Sequence, residues 1–288
     1  MRVAYLGPAG TFTEEALRAS ALAVVDEAPY ATVYEAVMAV QEERADRAVV
    51  PIENSLEGSV TATLDTLAGE AADVRIVAEV IQPVRHCLIA RVGVEVGQIG
   101  RVLSHPQALA QCAGYLRAHL PDAEPAAASS TAEAVRLVAE SDQPWAAVGA
   151  RLAAELYDCH LLEEAIEDRH DNQTRFVWLS RGEVGARERA SKTSVVFWGF
   201  NDQSPGALVD VLHEFADRRI NLTKIESRPR PGPLGSYMFF ADLEGGADRP
   251  DVRSALQALG ERVEALRVLG TYPAAVSADA GRSEPTDR

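Results

Sequence analysis

The chain has 288 residues, of which 47% are hydrophobic and 25% are charged, so two domains of ordinary size are expected and a disordered or fibrous chain is excluded. The 28 basic and 43 acidic residues give a net charge of −15, which argues against nucleic-acid binding because phosphate contacts require an excess of basic residues. No apolar run approaches the ~20 residues of a membrane span, and the first residues lack the apolar segment of a signal peptide. We therefore expect no membrane association and a cytoplasmic protein.

The first 180 residues alternate short apolar strands with amphipathic helices. Strands are predicted at 3–6, 48–52, 74–81, 87–90, 101–103, 146–148 and 174–179, and helices over 12–24 and from Thr32 to about Arg44. Capping-box spacing supports helix starts at Thr11, Thr32 and Ser130. The alternation predicts a mostly parallel sheet, or two, with helices on both faces and ligands beyond the carboxyl ends of the strands.

The composition changes between about residues 181 and 191, where the sequence is charged and has no periodicity. This change indicates a linker. The following segment predicts the order β-α-β-β-α-β, with strands near 193–200, 221–227, 237–244 and 263–270 and helices over 206–218 and 250–260. This order is the ferredoxin-like split βαβ arrangement. The final 15 or so residues are small and polar, and we expect a flexible tail.

The segment GPAGTF (7–12) lies between a predicted strand and a predicted helix. Its backbone N–H groups are suited to an anion, but a simple tight turn explains the glycines equally well. The segment lacks a P-loop lysine and does not match G-x-G-x-x-G, so a nucleotide site is not predicted.

Polar residues follow the buried strand of VVPIENSLEGSV (49–60), where Glu53, Asn54 and Ser55 either meet a ligand or satisfy turn backbone. In VLSHPQALAQC (102–112), Ser104 and His105 leave a strand. Gln107 and Gln111 then share one helix face, while His105 alone is interpreted as a structural hydrogen-bonding group rather than a base.

The segment DNQTRFVWL (171–179) places Asn172, Gln173, Thr174 and Arg175 at the entrance to a strand. The six histidines show no metal-ligand spacing and no serine lies in G-x-S-x-G, so neither a metal site nor a hydrolase nucleophile is predicted. The three scattered cysteines are interpreted as reduced thiols.

Four of these segments together resemble the prephenate dehydratase family: GPAGTF (7–12), PIENSLEGSV (51–60), SHPQALAQC (104–112) and DNQTRF (171–176). The C-terminal part resembles the ACT regulatory module through GALVDVL (206–212) and ESRP (226–229). The resemblance covers about residues 2 to 273. With no chorismate mutase segment before Met1, the chain resembles the monofunctional form.

The resemblance implies an α/β fold with a two-lobed, periplasmic-binding-protein-like catalytic domain and a ferredoxin-like (βαββαβ) ACT domain. The expected divisions are a catalytic domain at 1–181 with its second lobe at about 82–160, a linker at 182–191, an ACT domain at 192–273 and a tail at 274–288. The implied activity is the decarboxylating dehydration of prephenate to phenylpyruvate, CO2 and water in L-phenylalanine biosynthesis. No cofactor or metal is expected, because the product ring becomes aromatic without an external electron sink.

Under this hypothesis Thr174 hydrogen-bonds the leaving hydroxyl, and the neutral side chains of Asn54, Ser104 and Gln111 contact the substrate. His105 and Glu53 are less favoured as proton donors. Arg175 is expected to pair with the retained carboxylate or with Glu53, or to form a structural ion pair. The remaining substrate-binding candidates are Thr11, Glu53, Ser55 and Phe176.

Feedback control by L-phenylalanine is implied at the ACT domain, and paired copies in a homodimer or homotetramer are expected. The candidate effector contacts are Gly206, Ala207, Leu208, Asn221 and Leu222. Two alternatives stay open: an arogenate dehydratase and a non-catalytic amino-acid sensor. No residue in the sequence separates prephenate from arogenate.

Overall fold

The structure is a computed structural model, and it describes residues 1–182, 190–200, 204–232 and 235–275. None of the helices in these ranges is long and apolar enough to cross a membrane. The expected linker positions 183–189 and tail positions 276–288 lie outside the described residues.

Lobe 1 is an α/β layer built from residues 1–83 and 173–182. Its strands are β1 (Arg2–Leu6), β2 (Asp26–Tyr30), β3 (Arg47–Asn54), β4 (Gly58–Ser59), β5 (Val74–Pro83) and β11 (Gln173–Arg181). Its helices are α1 (Phe12–Ser20), α2 (Val33–Gln41) and α3 (Thr61–Ala68). Strands β1, β2 and β3 are parallel, whereas β11 lies antiparallel between β3 and β5.

Lobe 2 is a second α/β layer between β5 and β11 in the chain. Its strands are β6 (Cys87–Arg91), β7 (Arg101–Ser104), β8 (Glu124–Ala127), β9 (Trp145–Gly149) and β10 (Cys159–Glu163), and a 3₁₀ turn covers Val96–Gln98. Its helices are α4 (Pro106–Gln111), α5 (Ala113–His119), α6 (Thr131–Glu140) and α7 (Arg151–Leu156). The sheet order is β10-β6-β9-β7-β8.

The predicted two-lobed α/β fold is confirmed, but the sheets are mixed rather than mostly parallel. The chain enters lobe 2 through β5 and returns to lobe 1 through β11, so these two crossing segments run in opposite directions. They therefore pair antiparallel, and β6 pairs antiparallel with both β9 and β10 in the other lobe.

The C-terminal module has the predicted βαββαβ order. Its elements are β12 (Lys192–Trp198), α8 (Ala207–Ala216), β13 (Leu222–Pro229), β14 (Tyr237–Glu244), α9 (Pro250–Arg262) and β15 (Ala265–Tyr272). Side chains from both helices and from one face of this sheet form an apolar cluster that includes Phe197, Val211, Phe215 and Leu259.

The other face of the C-terminal sheet is joined to lobe 1. Val196, Phe240 and Tyr272 belong to the same buried cluster as the lobe-1 residues Leu64 and Ile76. Gly270 of β15 also pairs with Ile76 of β5, so the strands run continuously in the order β13-β14-β12-β15-β5-β11-β3-β1-β2. The module is therefore packed onto the catalytic lobe and is part of its sheet.

Several elements differ from the sequence prediction. Helix α1 ends at Ser20 rather than near residue 24, and β2, β8 and β10 were not predicted. The segment of β2, Asp26–Tyr30, contains two acidic residues and a proline, so it lacks the apolar alternation of a strand. Its strand conformation comes from parallel pairing with β1 at the edge of the sheet.

Replacing Gly270 by alanine should destabilise this joint. A Cβ there would overlap the carbonyl oxygen of Ile76 and lie 2.8 Å from the Ile76 Cβ, so β5 and β15 would have to separate. We expect Gly270→Ala to lower the free energy of unfolding by about 1–3 kcal/mol, measured by urea denaturation.

Gly260→Ala in α9 is the matched control. Its Cβ would meet only Leu266 Cδ2, at 3.9 Å, and the helical site favours alanine over glycine by about 0.5–1 kcal/mol. Equal stability of the two variants would contradict the close approach at Gly270.

Candidate active site

The centre of the candidate site is a pair of opposite residues on two antiparallel strands. Thr174 of β11 and Asn54 at the end of β3 are register partners. The Asn54 Oδ1 atom accepts the backbone N–H groups of Leu56 at 2.9 Å and Glu57 at 3.0 Å. These two donors fix the orientation of the amide, because only the oxygen can accept them.

The Asn54 Nδ2 group therefore faces the pocket as a donor. It donates to Thr174 Oγ1 and to Asn172 Oδ1, each at 2.9 Å, and lies 3.2 Å from the carbonyl oxygen of Gln173. Because the Thr174 oxygen accepts this bond, its own O–H is left to donate to another group. No acceptor for that hydrogen occurs among the residues that the structure describes.

The same directional pattern continues into lobe 2. With its oxygen occupied by Asn54, Asn172 donates from Nδ2 to Gln111 Oε1 at 3.2 Å. The His86 Nε2 atom lies 3.0 Å from the same Gln111 oxygen and must carry the hydrogen there. The Gln111 NH2 group is thereby turned towards the pocket. We call Asn54, Asn172, Gln111 and His86 the amide chain.

The pocket between the lobes has a volume of about 230 Å³. Its lining has no acidic, lysine or arginine side chain, and the residues are Phe12, Asn54, Val84, His86, His105, Gln107, Ala108, Gln111, Ser129, Ser130, Thr131, Asn172 and Thr174. Three of these, 129–131, form the amino end of α6, where Ser130 caps the helix by accepting the N–H of Glu133 at 3.0 Å. The first-turn N–H groups give this end a partial positive charge.

His86 is neutral at physiological pH because burial lowers its pKa below 6.5 and outweighs the opposing effects of Gln111 and Glu167. Its ring packs edge-on against Phe12, with centroids 5.4 Å apart. The Nδ1 atom is buried and has no hydrogen-bond partner among the described residues, which further disfavours a second proton.

Three of the four predicted catalytic residues, Thr174, Asn54 and Gln111, line this pocket. The fourth, Ser104, is fully buried, and its hydroxyl donates to the Val148 carbonyl oxygen at 2.6 Å. Ser104 therefore joins β7 to β9 beneath the pocket and is not in its lining. Its neighbour His105 does line the pocket and caps α4.

The structure places Thr11, Ser55 and Phe176 outside the lining. Thr11 caps α1 and donates to the Leu6 carbonyl oxygen at 3.0 Å. Ser55 accepts the backbone N–H of Gln173 at 2.9 Å, which closes the turn after β3 onto β11. Phe176 is buried in the lobe-1 core with Tyr5.

The GPAGTF segment is a packed turn and not an open anion site. The Gly10 N–H donates to the carboxylate of Glu14 at 2.6 Å, so it is already paired. The Tyr157 hydroxyl of lobe 2 donates to the carbonyl oxygen of Ala9 at 3.3 Å. The segment therefore joins the two lobes.

Glu53 and Arg175 lie on the opposite face of their strands from Asn54 and Thr174. They are register partners, and Arg175 Nε lies 3.2 Å from Glu53 Oε2. Arg175 Nη1 also contacts Glu79 at 3.2 Å and Asp242 at 2.6 Å. The ion pair with Glu53 is one of the expected alternatives, and Arg175 is not in the lining of the pocket.

Sequence reasoning omitted several pocket residues. Asn172 was noticed only as the neighbour of Thr174, and the amino end of α6 only as a capping signal. His86 lies between Arg85 and Cys87 in the chain, and no motif or spacing marks it. Its role depends on Gln111, which is 25 residues away in the chain.

A larger cavity of about 680 Å³ lies elsewhere between the lobes, but it is a weaker candidate. Its three arginines are each paired with a carboxylate: Arg18 with Glu14, Arg85 with Glu167, and Arg151 with Glu164. It contains none of the predicted site residues. The described residues also contain no cluster of three or more His, Cys, Asp or Glu side chains suited to a metal ion.

The candidate effector residues lie at two ends of the C-terminal module: the first three begin α8 after the end of β12, whereas Asn221 and Leu222 begin β13 level with the start of β12, because Leu222 and Thr193 are both opposite Leu243. Gly206 begins α8 with a φ of 88°, and Ala207, Leu208 and Leu222 pack against the module's apolar cluster. Asn221 is exposed, and its Nδ2 donates to Glu244 Oε1 at 3.0 Å.

Comparisons with known proteins agree with this architecture. A family model described as prephenate dehydratase matches residues 3–184, and one described as ACT domain matches residues 194–261. The prephenate dehydratase of Mycobacteroides abscessus is 40% identical over 99% of this chain and 94% of its own length.

Two solved structures are similar over nearly the whole chain. Prephenate dehydratase from Arthrobacter aurescens in complex with L-Phe has a TM-score of 0.87 and 41% identity, covering 95% of this chain and 90% of its own. A structure described as GqqA, a novel type of quorum quenching acylase, has a TM-score of 0.86 and 31% identity, covering 95% of this chain and 98% of its own.

From the hydrogen bonds of the amide chain we predict the tautomer of His86 and the effect of Gln111 on its pKa. Since the bond to Gln111 favours the charged imidazole, Gln111→Leu should lower the His86 pKa further below 6.5. Long-range ¹H–¹⁵N NMR spectra recorded against pH should show the Nε2–H tautomer at neutral pH in the unmodified chain. His86→Gln identifies the resonance. An Nδ1–H tautomer would contradict the assigned hydrogen-bond direction, and a His86 pKa at or above 6.5 would contradict the dominance of burial.

Proposed function

The chain belongs to the prephenate dehydratase family and carries an ACT domain, and from this premise we propose how its pocket acts on prephenate. The enzyme converts prephenate to phenylpyruvate, and L-phenylalanine regulates it through the ACT domain. The observation that carries the proposed mechanism is the Asn54 bond to Thr174 Oγ1, which leaves the threonine O–H to donate into the pocket.

The reaction moves one electron pair across the ring. The bond between the ring and its carboxylate breaks, its electrons complete the aromatic ring, and the ring C–O bond breaks to release hydroxide. The dianionic substrate thus gives the phenylpyruvate monoanion, neutral CO2 and hydroxide, which solvent protonates. The residues need only orient the substrate and stabilise charge that develops on the leaving oxygen.

Thr174 is proposed to donate its hydrogen bond to the leaving hydroxyl. Negative charge grows on that oxygen as the C–O bond breaks, so the bond strengthens in the transition state. Asn54 donates to the threonine oxygen at 2.9 Å and occupies one of its two lone pairs, which favours an O–H that points towards the substrate. Thr174 is only 8% exposed, so little water competes for its hydrogen.

The neutral lining suits loss of a carboxylate. A fixed cation beside the departing group would stabilise the substrate more than the transition state, in which its charge moves into the ring. We assign the retained pyruvyl carboxylate to the amino end of α6 and the Gln111 NH2 group, which supply donors without a full charge. Arg175 takes no part, since three carboxylates hold it on the other face of β11.

The pocket favours this reaction over acyl transfer. An acylase needs a nucleophile that a neighbouring base activates. Here His86 is bonded to Gln111, and the ring nitrogen of His105 lies 3.4 Å from the backbone N–H of Gln107. Among the described residues neither histidine is bonded to a hydroxyl of the pocket, so no activated nucleophile is present.

A sensor without catalytic activity is disfavoured by the fixed Asn54–Thr174 pair. Arogenate stays an alternative substrate.

We propose that L-phenylalanine binds between paired copies of the ACT domain, where the start of α8 in one copy meets the start of β13 in the other. Gly206 has a left-handed φ and no side chain, so the first-turn N–H groups of α8 are accessible to a carboxylate. Leu208 of one copy and Leu222 of the other supply apolar surface for the ring, and Asn221 directly precedes Leu222. The similar structure from Arthrobacter aurescens is a complex with L-Phe.

Self-association into a homodimer or homotetramer and a cytoplasmic location stay predictions. Strand β13 ends the described sheet and exposes 47% of Ile225, so it offers an edge for a second copy. Light scattering after size-exclusion chromatography distinguishes monomer, dimer and tetramer.

Thr174→Val should lower kcat on prephenate by about 10²–10³, because it removes the donor but keeps the side-chain shape. Formation of phenylpyruvate from prephenate is followed by its ultraviolet absorbance, and arogenate, whose product is phenylalanine, is tested in parallel. Thr174→Ser, which retains the hydroxyl, is the matched control and should lose far less. Valine and serine variants with similar rates would remove Thr174 from the mechanism.

Asn221→Ala should raise the L-phenylalanine concentration that half-inhibits the enzyme by about tenfold, as expected for loss of one ligand hydrogen bond of about 1.4 kcal/mol. Calorimetric titration with L-phenylalanine measures the affinity of each variant. Inhibition is expressed as the rate with L-phenylalanine divided by the rate of the same variant without it. Unchanged affinity would place the effector elsewhere.

A further inference from the structure

The strands that carry the proposed catalytic pair also carry a pair of opposite charges. Thr174 faces Asn54 across the two strands, and the next pair along is Arg175 with Glu53. Because successive side chains of a strand point to opposite faces, one pair lines the pocket and the other faces the C-terminal module. Because both pairs lie on the same two strands, a displacement of Arg175 and Glu53 also displaces Thr174 and Asn54.

The register of these strands is irregular at this point. Arg175 is opposite Glu53, but Phe176 is opposite Pro51, so Ile52 has no partner and forms a bulge. A bulge breaks the ladder and makes backbone pairing a weaker determinant of strand position. On its other side β11 pairs regularly with β5 through this point, with Arg175 opposite Ile81, and Glu53 pairs with Ser59 of β4. Side-chain contacts add to this backbone pairing and hold Arg175 and Glu53.

The C-terminal module supplies that hold on Arg175. The arginine side chain is 10% exposed, and its shortest contact is Asp242 of β14, at 2.6 Å. Asp242 is itself held by the hydroxyl of Ser194 at 2.6 Å, and that hydroxyl lies 2.6 Å from the Tyr272 hydroxyl. On the lobe-1 side, Glu79 contacts Arg175 at 3.2 Å and is shared with Lys192 of the module at 2.7 Å.

A second cation of the module holds Glu53 and the turn after it. Lys224 of β13 has a 9% exposed side chain, and its Nζ lies 3.3 Å from Glu53 Oε1. Lys224 and Glu226 both bond Ser59, which is the register partner of Glu53 on β4. This turn contains the backbone N–H groups of Leu56 and Glu57 that orient the Asn54 amide.

We propose that Asp242 and Lys224 of the C-terminal module are positioning residues for the reaction, acting through Arg175 and Glu53 on Thr174 and Asn54. The inference rests on the proposed role of Thr174. Neither residue lines the pocket, so their effect is on geometry alone.

The test compares Asp242→Asn with a matched interface control in the full chain. Misplacing a transition-state donor lowers kcat without changing ground-state binding, so Asp242→Asn and Lys224→Gln should each lower kcat by about tenfold or more and change KM by less than about twofold. The control is Asp65→Asn, which removes the two 2.7 Å contacts between Asp65 on α3 and Arg228 on β13. It breaks an ion pair across the same interface but touches neither catalytic strand, and it should retain kcat within about twofold.

Combining Asp242→Asn with Thr174→Val distinguishes an effect on the position of Thr174 from a general destabilisation of the fold. If Asp242 acts through Thr174, then Asp242→Asn should lower kcat by less than about twofold when Thr174 is already valine. A full additional tenfold loss in that background would overturn the inference. So would unchanged kcat in Asp242→Asn and Lys224→Gln, or an equal loss in Asp65→Asn. If Asp242→Asn fails to fold, Lys224→Gln decides by the same criteria. Absence of phenylpyruvate from the unmodified chain would instead refute the proposed function.

Discussion

Two backbone N–H groups, those of Leu56 and Glu57, determine the hydrogen-bond directions of the whole candidate site. They occupy the Asn54 oxygen, and each amide beyond it can then be satisfied in only one orientation. The result is a threonine O–H and a glutamine NH2 that both face the pocket. Since Asn54, Thr174 and Asn172 come from lobe 1 and the return crossing while Gln111 and His86 belong to lobe 2, the same bonds also fix how the lobes face each other.

The main electrostatic feature of the molecule is that neutral side chains line the pocket, whereas the charged pair Arg175–Glu53 lies on the other face of the catalytic strands. A chain with a net charge of −15 binds a dianion, so long-range attraction does not help. The pocket uses neutral donors and a helix end, and the charges nearest to the catalytic strands are placed on their other face. There, burial by itself opposes the charge of Arg175, but Asp242 and the other carboxylates outweigh it and raise the arginine pKa. Arg175 is thus a permanent cation that ion pairs hold on the face of β11 turned away from the pocket.

The C-terminal module is built into the catalytic lobe rather than attached to it by the linker alone. Its sheet continues into lobe 1 through β15 and β5, and its inner face shares a core with α3 and β5. An effector that binds the module is therefore connected to the catalytic strands by packed side chains and ion pairs. This arrangement gives regulation a physical route, because a shift of β13 or β14 displaces groups bonded to Glu53 and Arg175.

The fold class, the order of the elements in the C-terminal module and three members of the pocket (Thr174, Asn54 and Gln111) can be predicted from the amino-acid sequence alone. Apolar periodicity is local and six segments match known motifs, so these features can be read along the chain. The hydrogen-bond directions and the partners of those residues depend on the three-dimensional fold. Asn54 meets Thr174 across 120 residues of chain, Arg175 meets Asp242 across 67, and the strand pleat turns neighbouring residues of one motif to opposite faces. Contacts of that separation depend on register and on lobe packing, which no local pattern contains.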